Sequence, residues 1–144
     1  MPGLYGNVPF SYFSRAMRFN LAPVLFFGPL LLACSTHKHV ASTHPNGKPE
    51  VVIYMKGEGD EAQKVMEKVY YANGQLEYIG RFENGVEHGE WVYYYENGTK
   101  KYLETWANGV EHGIHLDYSP DGQVYRELHY EKGKLVKEVD RSKQ

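Results

Sequence analysis

The residue best placed for covalent chemistry is Cys34, the single cysteine of a 144-residue chain. It follows an apolar stretch over residues 21–33, and the residues before it contain no Asp or Glu and two basic residues, Arg15 and Arg18. A basic region followed by an apolar stretch and a small residue is typical of a secretory signal peptide. The stretch contains Pro and Gly and is shorter than the ~20 residues of a membrane-spanning helix. We therefore expect residues 1–33 to be a signal peptide.

The string Leu31-Leu32-Ala33-Cys34 resembles the bacterial lipobox. The resemblance implies a lipoprotein in which the Cys34 thiol receives a diacylglycerol, the chain is cut before it, and the new N-terminus is acylated, as with palmitate. Ser35 rather than Asp at the next position implies an outer-membrane protein of the bacterial cell envelope, on either its periplasmic or its surface side. Two alternatives stay open: an incidental free cysteine after an ordinary signal peptide, and a start at Met17 that makes residues 1–16 an over-extended start.

Histidines and carboxylates are the other side chains that could do chemistry. His37, His39 and His44 are close enough in sequence to hold a metal weakly, but a flexible cluster must first pay ordering entropy, so a solvated linker is the favoured interpretation. His112 and His115, three apart on a strand, point to opposite faces and cannot readily share a metal. There is no nucleophile elbow, phosphate-binding glycine loop or His-Glu-x-x-His motif. We expect no enzyme activity, catalytic residue, cofactor or metal.

Charge and composition further limit the class of protein to which the chain can belong. The chain has 16 Lys and Arg against 18 Asp and Glu, a formal net charge of -2, which is not the basic footprint of a nucleic-acid binder. Aromatic residues make up 15% and include 13 tyrosines, which argues against disorder. We expect one domain with a protein partner, no nucleic acid and no small-molecule substrate.

Turn signals recur with a period of 24 residues. One series of turns ends at Gly74, Gly98 and Gly122, and a second ends at Gly85, Gly109 and Gly133. Asn-Gly and Asp-Gly turns between alternating apolar and polar residues are strong hairpin signals, so each repeat holds two strands. The pattern predicts an all-β fold, a single-layer antiparallel β-meander of tandem 24-residue hairpin repeats over residues 48–139. Residues 34–47 are predicted to be a flexible tether and residues 140–144 a tail, and one or two helical turns within 61–70 remain an alternative.

Alternation along the strands predicts which side chains share a face. The face expected to pack on itself contains Tyr78, Phe82, Val92, Trp106 and Tyr130. The opposite face then presents Trp91, Tyr93 and Tyr95, which are the candidate binding face because such rings combine a large apolar body with a polar tip.

The strings 82–91 and 106–115 resemble MORN repeats, in which an aromatic residue is followed three positions later by Gly and then by His-Gly. The matching positions are Phe82, Gly85, His88 and Gly89, then Trp106, Gly109, His112 and Gly113, and, without His-Gly, Tyr130 and Gly133. The 24-residue period with Tyr-x-Asn-Gly turns is most similar to the MORN variant of the bacterial YwqK family of antitoxin-like proteins, over about residues 43–136. On this resemblance the motif residues are structural.

Together these features predict a non-enzymatic, lipid-anchored protein-interaction module. The family resemblance implies an antitoxin-like or immunity-like role or an envelope scaffold, and export argues against neutralising a toxin in the cytosol. The alternative is binding of glycans or lipid headgroups through an exposed aromatic sheet face.

Overall fold

The computed structural model describes residues 36–143, which form one open antiparallel sheet. Its strands are β1 (Thr36–Thr43), β2 (Pro49–Lys56), β3 (Gln63–Tyr70), β4 (Leu76–Glu83), β5 (Val86–Glu87), β6 (Gly89–Tyr94), β7 (Lys100–Ala107), β8 (Val110–Glu111), β9 (Gly113–Tyr118), β10 (Val124–Glu131) and β11 (Lys134–Asp140). A 3-10 turn lies at Gly59–Glu61. Within this range no helix is long and apolar enough to cross a membrane.

The strands follow the chain across the sheet. Their order is β1-β2-β3-β4-β6-β7-β9-β10-β11, and the short β5 and β8 pair with β4 and β7. Each short strand continues into the next strand, β6 or β9, after a break at His88 or His112. The predicted single-layer antiparallel meander of tandem hairpin repeats is therefore confirmed.

The predicted tether over residues 34–47 is corrected by the structure, because its described part is strand β1 followed by a turn. Val40 lies opposite Val52 in an antiparallel pairing of β1 with β2. The turn that follows closes with His44 N–H donating to the Lys48 carbonyl at 2.9 Å, the same bond that joins residues 71 and 75. The Pro-Asn-Gly sequence of this segment is thus a hairpin turn rather than a linker, and residues 36–43 belong to the sheet.

The helical alternative within residues 61–70 is wrong. Residues 63–70 form strand β3, in which Met66 lies opposite Tyr54 on β2 and Arg81 on β4. Pairing on both sides satisfies the backbone of this segment, and a strand interior between two partners outweighs a weak helical pattern.

Side chains join the longer turns at one edge of the sheet. The Tyr71 hydroxyl donates to the Tyr94 carbonyl at 2.8 Å, and one repeat later the Tyr95 hydroxyl donates to the Tyr118 carbonyl at 2.9 Å. The Asn97 side-chain amide donates to the carbonyl of the proline in the following turn at 3.2 Å. Each turn therefore holds the next one in place, which is how repeat arrays couple neighbouring units.

The two-residue turns at the opposite edge also stack. Asn84 and Asn108 have φ near the left-handed value (52° and 53°) and are each followed by a glycine with positive φ. Such turns match the twist of the flanking strands. The Gly109 N–H donates to the Glu87 carbonyl of the previous repeat at 2.9 Å, so these turns too are linked along the array.

The register divides the side chains into two faces. The aromatic face carries Tyr78, Phe82, Trp91, Tyr93, Tyr102 and Trp106, and the aliphatic face carries Ile79, Val92, Leu103 and Leu116. Placing Val92 with Tyr78 was wrong, because Val92 lies opposite Ile79 and Tyr93 lies opposite Tyr78. The two-residue turn pairs Phe82 with Glu87, and since cross-strand partners share a face, the odd-numbered residues of β6 lie on the Phe82 face.

Candidate functional site

The aromatic face is packed around Trp91, whose side chain is 8% exposed. Its ring lies against the bare backbone of Gly80, where an added Cβ would be 2.5 Å from Trp91 Cδ2. Its Nε1 donates to the Arg81 carbonyl at 3.1 Å, and its ring centroid is 5.8 Å from that of Tyr78 and 5.2 Å from that of Phe82. Trp91 is therefore part of the core of the middle repeats, which corrects its place on a separate binding face.

A row of tyrosines runs across the sheet beside this core. Tyr93 lies opposite Tyr78 and Tyr102, with ring centroids 5.4 Å and 6.0 Å away. All three rings are half-buried. Burial, reinforced by the charge and hydrogen bond of Glu104, raises the pKa of Tyr93 to about 12. Burial thus favours the neutral phenol at Tyr93, in a row of rings that all keep some exposure to solvent.

One repeat later the equivalent positions are polar and charged. The residues 24 positions after Trp91, Tyr93 and Tyr102 are His115, Asp117 and Arg126. His115 is 4% exposed and Asp117 5% exposed. His115 Nε2 donates to the Thr105 carbonyl at 3.0 Å, which is the bond that the Trp91 indole makes one repeat earlier. The hydrogen bond to the backbone is therefore kept between the two repeats, while the side chains of the aromatic face change from aromatic to polar and charged.

Asp117 and Arg126 continue the tyrosine row as an ion pair. Asp117 lies between Tyr102 on β7 and Arg126 on β10. The Arg126 Nε is 2.5 Å from Asp117 Oδ2, and its Nη1 is 4.0 Å from Glu138 Oε1. The hydrogen bond and charge of Asp117 raise the pKa of the Arg126 guanidinium further. Because burying an unpaired carboxylate is costly, this pairing is what permits Asp117 to be buried.

An open cavity of about 250 Å³ lies over this charged end of the aromatic face. Besides the ion pair it is lined by Tyr102, Glu104, Glu111, His115 and Tyr130. The rings of His115 and Tyr130 are 4.4 Å apart between centroids. Glu104 Oε2 accepts a hydrogen bond from Trp106 Nε1 at 3.2 Å. In the preceding repeat tryptophan and tyrosine rings fill the corresponding space.

The His-Gly positions of the motif mark breaks in the strands. The backbone N–H of His88 donates to the Arg81 carbonyl at 3.0 Å, and that of His112 donates to the Thr105 carbonyl at 2.9 Å. Gly89 and Gly113 follow with φ of 74° and 94°, a left-handed region that favours glycine. His88 Nε2 is 3.2 Å from Glu83 Oε2. These contacts are structural and do not bring the two histidines together.

Tyr95, another predicted site residue, does not line the cavity. Tyr95 belongs to a turn and donates its hydroxyl to the next turn. Cys34 lies outside the described residues, as do the signal peptide and the alternative start. Across residues 36–143, no group of three or more His, Cys, Asp or Glu side chains is arranged to hold a metal ion.

The polar replacement was missed in the sequence. Aligning the repeats at 24 residues places His115 under Trp91 and Asp117 under Tyr93, and this substitution of a ring by a polar group was the available signal. The alternation prediction considered only the apolar and aromatic side chains of each repeat, so His115 and Asp117 were not assigned to a face.

The described residues define a tandem-repeat protein built as a one-layer β-sheet. The model of the MORN repeat variant family matches three segments, residues 66–84, 87–108 and 111–132, so these segments are similar to the repeats of that family. No curated protein is similar enough to count as a match. Among solved structures, one match is a Glycosylation Associate Protein complex from Streptococcus agalactiae, at 16% identity and a TM-score of 0.42. The match covers 65% of this chain and 17% of that chain, so this chain spans a small part of that protein.

Proposed function

We propose that the chain is a non-enzymatic module that binds a protein partner through the aromatic face while a lipid on Cys34 anchors it in the bacterial cell envelope. The observation that carries the first part is the row of Tyr78, Tyr93 and Tyr102, whose half-buried rings lie side by side on one layer of strands. Tyrosine rings held in place by their neighbours offer contact area at a low entropic cost.

The anchor is proposed from the sequence alone. A single cysteine directly after Leu-Leu-Ala supports lipid attachment, and two or more acyl chains give stable membrane binding. The YwqK-like pattern of turns supports an antitoxin-like role, and the signal peptide expected over residues 1–33 favours an immunity-like or scaffold role at the outer membrane over a cytosolic one. The anchor would hold the sheet close to a membrane, where an envelope partner is accessible.

Site-specific photo-crosslinking in cells tests the binding face. A photoreactive residue at Tyr102, on the aromatic face, is expected to give a discrete crosslinked product. The matched control is the adjacent Leu103, on the aliphatic face of the same strand. Equal products from both positions, or none from Tyr102, would refute binding through the aromatic face.

The anchor has its own test. Cells expressing the full chain are fed an alkyne fatty acid, and label on the protein is compared with that on Cys34→Ser. We expect the label to disappear and the variant to leave the membrane fraction. Unchanged labelling of the serine variant would exclude Cys34 as the lipid site.

A further inference from the structure

We propose that the cavity at the charged end of the aromatic face is a subsite for a cationic side chain, an arginine or lysine of the partner protein. This deepens the proposed function, on which it rests for the nature of the partner, by naming the group that the partner inserts.

The cavity has an excess of negative charge. Three carboxylates line it, those of Glu104, Glu111 and Asp117, together with the guanidinium of Arg126. Asp117 and Arg126 neutralise each other at 2.5 Å. In the part of the chain that the structure describes, no cation forms an ion pair with Glu104 or Glu111. An entering cation would therefore meet two carboxylates already half-withdrawn from water, where a charge-assisted hydrogen bond is stronger than at the surface.

Aromatic rings supply the second part of the subsite. Tyr130 and His115 form a contact pair in the lining of the cavity, and the Tyr102 ring lines it as well. A cation placed between a ring face and a carboxylate gains from both interactions, and a guanidinium plane also stacks on rings. A neutral or anionic group would leave the carboxylates uncompensated.

The same face already holds a cation of its own in this way. The Lys64 ammonium lies 3.8 Å from the Phe82 ring centroid and 3.2 Å from Glu67 Oε2. Phe82 and Glu67 stand two repeats before Tyr130 and His115, because both separations are 48 residues. The fold thus holds a lysine against a ring and a carboxylate near its start. At the cavity the ring position is kept as Tyr130, His115 takes the position of Glu67, and the carboxylates come from Glu104 and Glu111 instead.

The replacement of rings by polar groups is a further sign that the cavity serves a purpose. Burying His115 and Asp117 costs stability relative to the Trp91 and Tyr93 of the preceding repeat, whose backbone positions they share. Departures from local consistency of this kind are expected at functional sites.

The two tryptophans give a direct test, because the chain contains only these two. In the full chain, purified in detergent and labelled with ¹⁵N-tryptophan, the Trp106 indole N–H reports on Glu104, to which it donates. The Trp91 indole donates to a backbone carbonyl in the core and serves as the internal reference. A Trp106→Phe variant assigns the two signals.

The probes are Nα-acetyl-arginine amide and Nα-acetyl-lysine amide, with Nα-acetyl-citrulline amide as the neutral isostere of the first. We expect the cationic probes to shift the Trp106 signal, with at least about tenfold tighter binding than citrulline and weakening by salt. Glucosamine is a further probe, which tests whether the cavity prefers an ammonium group carried by a sugar. Binding of glucosamine as tight as that of the arginine probe, or equal binding of citrulline, would overturn the proposal.

Matched variants locate the site. Glu111→Gln should weaken the arginine probe by about tenfold or more, because it removes one of the two uncompensated carboxylates. Glu87→Gln, the equivalent change one repeat earlier, should leave binding unchanged. Equal effects of the two changes would place the cation elsewhere. If crosslinking at Tyr102 persists undiminished in Glu111→Gln, the cation subsite is refuted while partner binding through the aromatic face stands. If the probes bind but Tyr102 gives no crosslink, partner binding through this face is refuted while the cavity stands as a cation site.

Discussion

Gly80 is the position at which a single methyl group should test the packing of the whole aromatic face. An added Cβ would lie 2.5 Å from Trp91 Cδ2 and 2.6 Å from its Cε2 and Cε3, distances that real Cβ atoms do not tolerate. Trp91 cannot easily retreat, because its ring is held between Tyr78 and Phe82 and its indole is bonded to the Arg81 carbonyl.

The expected loss of stability follows from two opposing effects. Overpacking a filled core costs ~1–3 kcal/mol. Alanine recovers ~0.5–1 kcal/mol of the conformational entropy that glycine loses in a strand. We therefore expect Gly80→Ala to reduce the free energy of unfolding by ~1 kcal/mol, the difference between the midpoints of these two effects, and by at most ~2.5 kcal/mol.

The decisive comparison is the same substitution without the tryptophan. Trp91→Ala should itself cost ~3–5 kcal/mol, and in that background Gly80→Ala should become stabilising by ~0.5–1 kcal/mol because the clash has gone. Urea unfolding of the four proteins, followed by far-ultraviolet circular dichroism, measures the cycle. If Gly80→Ala destabilises the chain equally in both backgrounds, the contact with Trp91 is not the reason for the glycine.

The remaining predictions concern the turns, the tyrosine row and the ion pair. Tyr95→Phe removes a hydroxyl bonded to the next turn and should lower the free energy of unfolding by ~0.5–1.5 kcal/mol, whereas the exposed Tyr125→Phe should be neutral in the same urea assay. The pKa of Tyr93 is raised from 10.0 to about 12, so the native state favours the neutral phenol. The stability that the neutral Tyr93 phenol contributes should be complete below pH 10 and lost as the pH rises toward 12. Tyr93→Phe should therefore flatten this part of a plot of urea midpoint against pH. Arg126→Ala leaves Asp117 buried without its partner and should cost ~1–3 kcal/mol, a loss that should shrink in an Asp117→Asn background if the ion pair is the cause.

Most of the fold could be predicted from the repeat period and the turn residues. Two glycine series at a constant spacing set the number of strands per repeat, and antiparallel pairing followed from the shortness of the turns. The first strand was missed because β1 is almost wholly exposed and polar, so its composition is that of a linker; it is a strand because β2 offers it a partner edge.

The face of each side chain was predictable in principle from the two-residue turn. Once Glu83 and Val86 are paired across Asn-Gly, the face of every residue on β6 follows, provided the break at His88 shifts the register by an even number of residues. That shift depends on the backbone of a Gly with positive φ, which sequence alternation does not reveal. The cavity was harder still, because Asp117 and Arg126 come from different strands and meet only when the register is known.

The longer turns differ between repeats in the hydrogen bonds that their side chains make. Tyr71 and Tyr95 reach across to the next turn, but the equivalent residue in the following turn is Ser119, whose hydroxyl bonds within its own turn to the Gln123 carbonyl at 3.0 Å. The asparagine that donates to the next turn likewise becomes Asp121, whose side chain has no N–H to donate. Its carboxylate instead accepts from the Ser119 hydroxyl, which is shared between Asp121 and the Gln123 carbonyl, and this hydrogen bond lowers the pKa of the Asp121 carboxyl. Both donors are lost at the same turn, in the repeat whose aromatic face also changes to His115 and Asp117. The turn and the aromatic face therefore become more polar in the same repeat.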